Sequence, residues 1–268
     1  MTPIPGKRFG EITQGKLEYA TAGTGQSTVV FFNGGGPATM DSWGKVFPPV
    51  ASFSRVLAYN RFGDGHSDQV SEPQTGARVV AALRQLLTEA QCGAPYILVG
   101  HSMGGLFANL FARLYPQDVN GMVLIDSAHP DQGDMLRNQG GLFGALNRVL
   151  FKLYAKSNPA KSSELSVFEV TAAQVKTADA FPTIPLTVLS AGKRFSLFVA
   201  KQTLHTIERY QEELAKMSPL GKRIIAQRSG HFIQNSEPGI VVDAIQEMIA
   251  DGGNSCPQGQ SIGNLTFM

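Results

Sequence analysis

Tyr96-Ile97-Leu98-Val99-Gly100-His101-Ser102-Met103-Gly104-Gly105-Leu106-Phe107-Ala108-Asn109-Leu110-Phe111 is the stretch whose reading decides the fold. Tyr96 to Val99 form an apolar run of strand length, and Leu106 to Phe111 begin a helical pattern. Between them lies Gly-x-Ser-x-Gly, the spacing a serine needs to stand on a sharp turn from strand to helix. The glycines have a steric reason. A strand that turns at once into a helix crowds the backbone around Ser102 and forces it into strained dihedrals, so Gly100 and Gly104 leave no room for larger side chains. Ser102 also stands near the start of the helix, where unpaired N–H groups and the helix dipole favour negative charge.

Outward from this turn the chain alternates strands and helices. Three strands precede it, Arg8 to Thr13, Lys16 to Ala20 and Thr28 to Phe32, separated by Gln14-Gly15 and Gly23-Thr24-Gly25. The third is continuously apolar, as expected of a strand buried on both faces, and ends in Asn33-Gly34-Gly35-Gly36-Pro37. A fourth strand, Arg55 to Tyr59, runs into Asn60-Arg61-Phe62-Gly63-Asp64-Gly65. After Pro73, Val79, Val80, Leu83, Leu86, Leu87 and Ala90 follow a helical period. Beyond the serine turn come Gly121 to Ile125, Ile184 to Leu189 and Arg223 to Ala226 as strands six to eight. Residues 197–217 read as an amphipathic helix, and Pro238 to Ala250 as a last helix stopped at Gly252. The alternation predicts a mostly parallel sheet with helices on both faces. Residues 1–129 and 184–252 are assigned to this core, 130–183 to a small helical lid, and 253–268 to a tail. The broad apolar stripe from Leu142 to Ala155 suggests that Leu142, Leu146 and Leu150 line a substrate pocket.

Composition narrows the classes. The 268 residues can bury a substantial core, and 43% hydrophobic with 16% charged residues is ordinary for a globular protein. A net charge of +2 gives no basis for binding nucleic acid or an anionic membrane surface. Cys92 and Cys256 are read as two free thiols, with neither disulfide framework nor metal-site spacing. No apolar core of a signal peptide and no run of eighteen apolar residues is present, so the expectation is a cytoplasmic protein without a membrane span. No metal or cofactor is expected. Oligomeric state is open.

The serine turn, the glycine loop Asn33 to Pro37, the stretch Tyr59-Asn60-Arg61-Phe62-Gly63-Asp64-Gly65-His66-Ser67 and Gly230-His231-Phe232 together resemble the α/β-hydrolase superfamily, in its usual order and over nearly the whole chain. The resemblance implies an eight-stranded, mostly parallel sheet and a nucleophile, an acid and a histidine in that chain order. Asn33-Gly34 stands where the family often has His-Gly, and Asn60 where it often has Asp; both departures bear on substrate and oxyanion geometry.

A serine hydroxyl is a weak nucleophile and needs a base within hydrogen-bond reach. Among His66, His101, His129, His205 and His231, only His231 follows the last strand on a Ser-Gly turn, where the family's base lies. His101, next to the nucleophile, should point away from it; His205 falls within a helix; His129, just after the sixth strand, is a candidate substrate contact. The acid that orients the imidazole most often follows the seventh strand in this family. Here that strand ends Ser190-Ala191-Gly192-Lys193-Arg194-Phe195, and no carboxylate lies between Asp179 and Glu208. Some family members, haloalkane dehalogenase-like ones included, carry the acid after the sixth strand, which points to Asp126, with Asp131 second. Met103 N–H is one oxyanion donor and Gly35 N–H the other, with Gly34 as the alternative. The leading expectation is a cofactor-free serine hydrolase acting on a small carboxylic ester or related acyl substrate. Amide or carbon–carbon bond hydrolysis, acyl transfer, and a small-molecule receptor on the same scaffold are the other readings.

Overall fold

The computed structural model describes residues 2–36, 38–133, 164–193 and 201–253. Eight strands form one sheet: β1 (Arg8–Ile12), β2 (Gly15–Ala22), β3 (Thr28–Phe32), β4 (Arg55–Tyr59), β5 (Tyr96–His101), β6 (Val119–Ile125), β7 (Leu186–Ala191) and β8 (Gly221–Ala226). Their spatial order is β1-β2-β4-β3-β5-β6-β7-β8. β2 runs antiparallel to both β1 and β4, and all other neighbours are parallel. The expected eight-stranded, mostly parallel sheet is therefore present.

The sheet is covered on both faces, and the strand alternation shows how. Val30 and Phe32 of β3 join one apolar cluster with Leu57 and Leu98, while Val29 and Phe31 join another with Val56, Ile97 and Val99. Successive side chains of a strand point to opposite faces, so a strand buried on both must be apolar throughout. Helices α1 (Phe47–Ala51), α2 (Gly76–Glu89) and α3 (Met103–Leu114) follow β3, β4 and β5. The first cluster takes most of its helical side chains from α2, α3 and α4 (Glu164–Thr177), with Leu214 and Ala215 added, and the second takes them from α1, from Ile233 and from the last helix. Helix α5 (Lys201–Ala215) precedes β8, and α6 (Ile233–Ser236) and α7 (Pro238–Gly253) close the described chain. The last helix thus runs to Gly253, one residue past the expected stop.

Within the interval read as a lid, α4 packs into the main core through Val167, Phe168, Ala172 and Val175. It also caps α2: Thr171 Oγ1 accepts from Gly76 N–H at 2.9 Å and Gln174 Oε1 from Ala77 N–H at 3.0 Å, satisfying donors that a helix start leaves unpaired. The stretch 142–155, with Leu142, Leu146 and Leu150, lies outside the described residues. Cys92 is buried and free; Cys256 lies outside the described residues.

The strand order reverses direction at β3, with β4 on one side and β5 on the other. In open parallel sheets the crevice at such a point, beyond the carboxyl ends of the strands, is where ligands bind. The Asn33 loop, Ser102 and Asp126 follow the carboxyl ends of β3, β5 and β6.

Candidate active site

Ser102 joins β5 to α3 with φ 51° and ψ −124°, a sparsely populated conformation for a residue with a side chain. Such dihedrals cost about 1–3 kcal/mol and persist only where the surroundings enforce them. Here they do. Ser102 N–H donates to Ile125 C=O at 3.1 Å, and its own carbonyl accepts from Gly105 and Ala128 N–H, each at 3.0 Å. The glycines are needed for close approach: a Cβ on Gly104 would lie 2.3 Å from Phe32 O and 2.5 Å from Asn33 O, and one on Gly100 would lie 2.7 Å from Gly105 Cα. Ser102 is partly exposed between buried His101 and Met103. Met103 opens α3, so its N–H is one of the donors that have no acceptor within the helix.

His231 follows β8 on the Ser229-Gly230 turn, and its Nδ1 lies 2.7 Å from Asp126 Oδ2. Asp126 follows β6 and is buried. Its other oxygen, Oδ1, accepts from Ala191 N–H at 3.2 Å, and its own N–H donates to Leu189 C=O at 2.7 Å. A φ of 38° lets its side chain leave the strand direction. A carboxylate only accepts, so Nδ1 of a neutral His231 carries the proton and Nε2 keeps its lone pair.

Asp131 is placed otherwise. It is exposed and pairs with Lys176, whose hydrogen bond holds its carboxyl below the usual range. Asp179 offers its carbonyl to Arg113, and Glu208 pairs with Arg223. Of the carboxylates considered, the structure brings Asp126 to His231.

His101 turns to the other side of the β5 turn, as expected of a residue adjacent to Ser102. It is 1% exposed and packs against Trp43, His231 and Phe232. Its Nε2 donates to His231 C=O at 3.0 Å, which leaves Nδ1 as a lone pair without a hydrogen-bond partner. Burial pushes its pKa down to about 3, so it is neutral at ordinary pH. His129 stacks flat on Tyr210 of α5 at 4.5 Å and accepts from Asp131 N–H at Nδ1, 3.1 Å away. Burial lowers its pKa as well.

The loop after β3 rests on a buried polar network that sequence reasoning did not anticipate. Asn33 Oδ1 accepts from Trp43 Nε1 at 2.9 Å, and Asn33 Nδ2 donates to Tyr59 C=O at 2.8 Å. Asn60 Oδ1 accepts from Met40 N–H at 2.7 Å, and Asn60 Nδ2 donates to buried Glu18 at 2.6 Å. Glu18 would titrate high from burial alone, but hydrogen bonds from His66 and Asn60 hold it below its ordinary value. Arg61 donates to the carbonyls of Asn33 and Gly34. The two asparagines thus act as fixed parts of the loop's support. The signal available for this was the polar residues Asn60, Arg61 and Asp64, directly after a strand that is apolar and buried from Val56 to Tyr59.

Comparison with known proteins agrees with this architecture. Residues 29–244 match the model of the alpha/beta hydrolase family, and the chain belongs to that family. An uncharacterised protein of Bacillus subtilis, YqjL, is 29% identical over 226 residues, covering 84% of this chain and 85% of its own. A 2-hydroxy-6-oxo-6-(2'-aminophenyl)hexa-2,4-dienoic acid hydrolase of Metapseudomonas resinovorans is 28% identical over 46% of this chain and 42% of its own length. A thermophilic esterase from Thermogutta terrifontis shares the fold with a TM-score of 0.63 at 20% identity, over 92% of this chain and 99% of the esterase. No helix among the described residues is long and apolar enough to cross a membrane. Among the same residues no group of three or more His, Cys, Asp and Glu side chains could hold a metal ion.

Proposed function

We propose that this member of the hydrolase family cleaves a carboxylic ester, or a related acyl bond, through an acyl-enzyme formed on Ser102. The observation that carries the reading is the 2.7 Å hydrogen bond joining His231 Nδ1, in the turn after β8, to the buried carboxylate of Asp126, at the end of β6 next to the Ser102 strand. In this scheme His231 Nε2 takes the Ser102 hydroxyl proton as Oγ bonds to the substrate carbonyl carbon. Asp126 keeps the tautomer and stabilises the imidazolium. The carbonyl oxygen becomes an oxyanion held by Met103 N–H and by Gly35 or Gly34 N–H. Collapse breaks the ester bond, and the imidazolium proton leaves with the alcohol. Water then repeats the sequence on the acyl-enzyme, releasing the acid and restoring Ser102. The scheme uses side chains, backbone and water alone.

The test is labelling by a fluorophosphonate probe together with turnover of a panel of p-nitrophenyl esters. Wild type is expected to label once, at Ser102, and to turn over short acyl esters. Ser102→Ala should abolish labelling and lower kcat by about 10⁵-fold or more. Persistent labelling in that variant would refute the assignment, and a folded wild type that neither labels nor turns over would favour a receptor.

A further inference from the structure

The loop that ends β3 is gripped from behind by one side chain. The Arg61 guanidinium, 7% exposed, donates from Nη1 to Asn33 C=O at 2.8 Å and from Nη2 to Gly34 C=O at 2.7 Å. Asp64 Oδ2 lies 3.2 Å from Nη2 as a counter-charge, and the Phe107 ring of α3 lies 5.2 Å from the guanidinium carbon. The Asn33–Gly34 and Gly34–Gly35 peptide bonds are trans, and in a trans peptide the C=O and the following N–H point in opposite directions. Two consecutive carbonyls turned toward Arg61 therefore turn the N–H groups of Gly34 and Gly35 away from it, side by side. Successive N–H groups on one side of a loop form an anion-binding concavity. Gly34 lies against the nucleophile turn, since a Cβ on it would stand 3.5 Å from Ser102 Cβ.

We propose that Arg61 is the positioning residue of the oxyanion hole. It fixes the direction of the Gly34 and Gly35 donors, and its positive charge on the Asn33 and Gly34 carbonyls polarises the two peptides that carry those donors, making each N–H a stronger donor when negative charge develops. An arginine suits the task because its planar fork holds two acceptors at a fixed spacing, whereas an ammonium is a point charge on a flexible stem that imposes no such spacing. A purely structural ion pair with Asp64 would not require both carbonyls to be engaged.

This inference builds on the serine-hydrolase reading, and the experiment separates the two. Wild type, Arg61→Lys and Arg61→Met are assayed with p-nitrophenyl butyrate, with active sites counted by exhaustive fluorophosphonate labelling so that misfolded protein drops out of kcat. The initial rate of labelling is recorded too, because attack on phosphorus also places negative charge on an oxygen. Expected is a fall in kcat per labelled site of about 10-fold in Arg61→Lys and about 10²–10³-fold in Arg61→Met, the range seen when an oxyanion donor is lost. KM should stay within about threefold, because the hole acts on the transition state, and the labelling rate should fall in parallel with kcat. If kcat per labelled site stays near wild type, or only KM changes, the proposal is overturned while the hydrolase reading stands. If Arg61→Met does not fold, Arg61→Lys decides. A wild type that neither labels nor turns over removes the hydrolase reading, and this proposal with it.

Discussion

His101 gives a prediction whose size follows from its burial. The imidazole is 1% exposed, donates to His231 C=O and has its pKa pushed down to about 3, first by desolvation and next by the nearby His231 ring, with the hydrogen bond to His231 C=O and then Asp126 acting in the opposite sense. In the unfolded chain the same group titrates near 6.5. Between these values the unfolded state binds a proton that the folded state does not, so stability rises with pH and falls as pH is lowered through this window. Integrating the linkage relation from pH 7.5 to pH 5 gives a loss of about 2 kcal/mol from this residue alone. His101→Gln, which keeps a side-chain N–H for the His231 carbonyl, should remove that part of the acid sensitivity. Urea unfolding can be followed through Trp43, the single tryptophan, which is fully buried and packs edge-on against His101 at 6.5 Å. The difference in unfolding free energy between pH 7.5 and pH 5 should be about 2 kcal/mol smaller in the variant than in wild type. Equal losses in both proteins would show that His101 is protonated in the fold and refute the argument.

Two further outcomes test the site's framework. Asp126→Asn should fold normally yet lose up to about 10⁴-fold in kcat, whereas Asp131→Asn, which weakens exposed contacts with Lys176 and His129, should stay within about threefold in the same ester assay. The reverse pattern would move the acid to Asp131. Gly104→Ala should be destabilised by about 3 kcal/mol, because its Cβ would meet two backbone carbonyls that cannot swing aside, and thermal unfolding should show a drop of roughly 6–12 °C. An unchanged melting temperature would mean that the β3 loop has slack there.

What the sequence made legible was whatever depends on neighbours in the chain. β3 and β5 were readable because burial on both faces demands an unbroken apolar run, and both strands are buried throughout. The serine turn was readable because its glycines answer a steric demand from residues within five positions or from the facing strand end. The choice of Asp126 was less direct: no local pattern marks it, and it was reached through the empty window after β7 and a likeness to relatives that place the acid after the sixth strand. Its 2.7 Å contact with His231 spans 105 residues of chain.

Not legible were the long-range polar contacts behind the β3 loop, although Asn33 and Asn60 themselves stood out as departures from the family pattern. Glu18, Asn33, Asn60, Arg61, Asp64 and Ser67 are all buried, against the expectation that polar residues near loops face water. Each is tolerable inside because partners are supplied from elsewhere in the chain. Asn60 reaches Glu18 across 42 residues and Met40 across 20, and Arg61 reaches Asn33 across 28. Buried polar groups cost about 1–3 kcal/mol each when unpaired, so a set like this holds together only if nearly all members are present. That interdependence argues for a rigid support under the Gly34–Gly35 loop, and rigidity there is what electrostatic stabilisation of an oxyanion requires: donors already aimed before charge develops have no reorganisation to undergo when it does. The base side is arranged differently, with a His231 side chain that is 46% exposed and anchored at Asp126 and by the His101 contact to its backbone. In the proposed scheme the partner that must exchange protons with leaving group and water is open to solvent, and the partner that must only hold charge is locked.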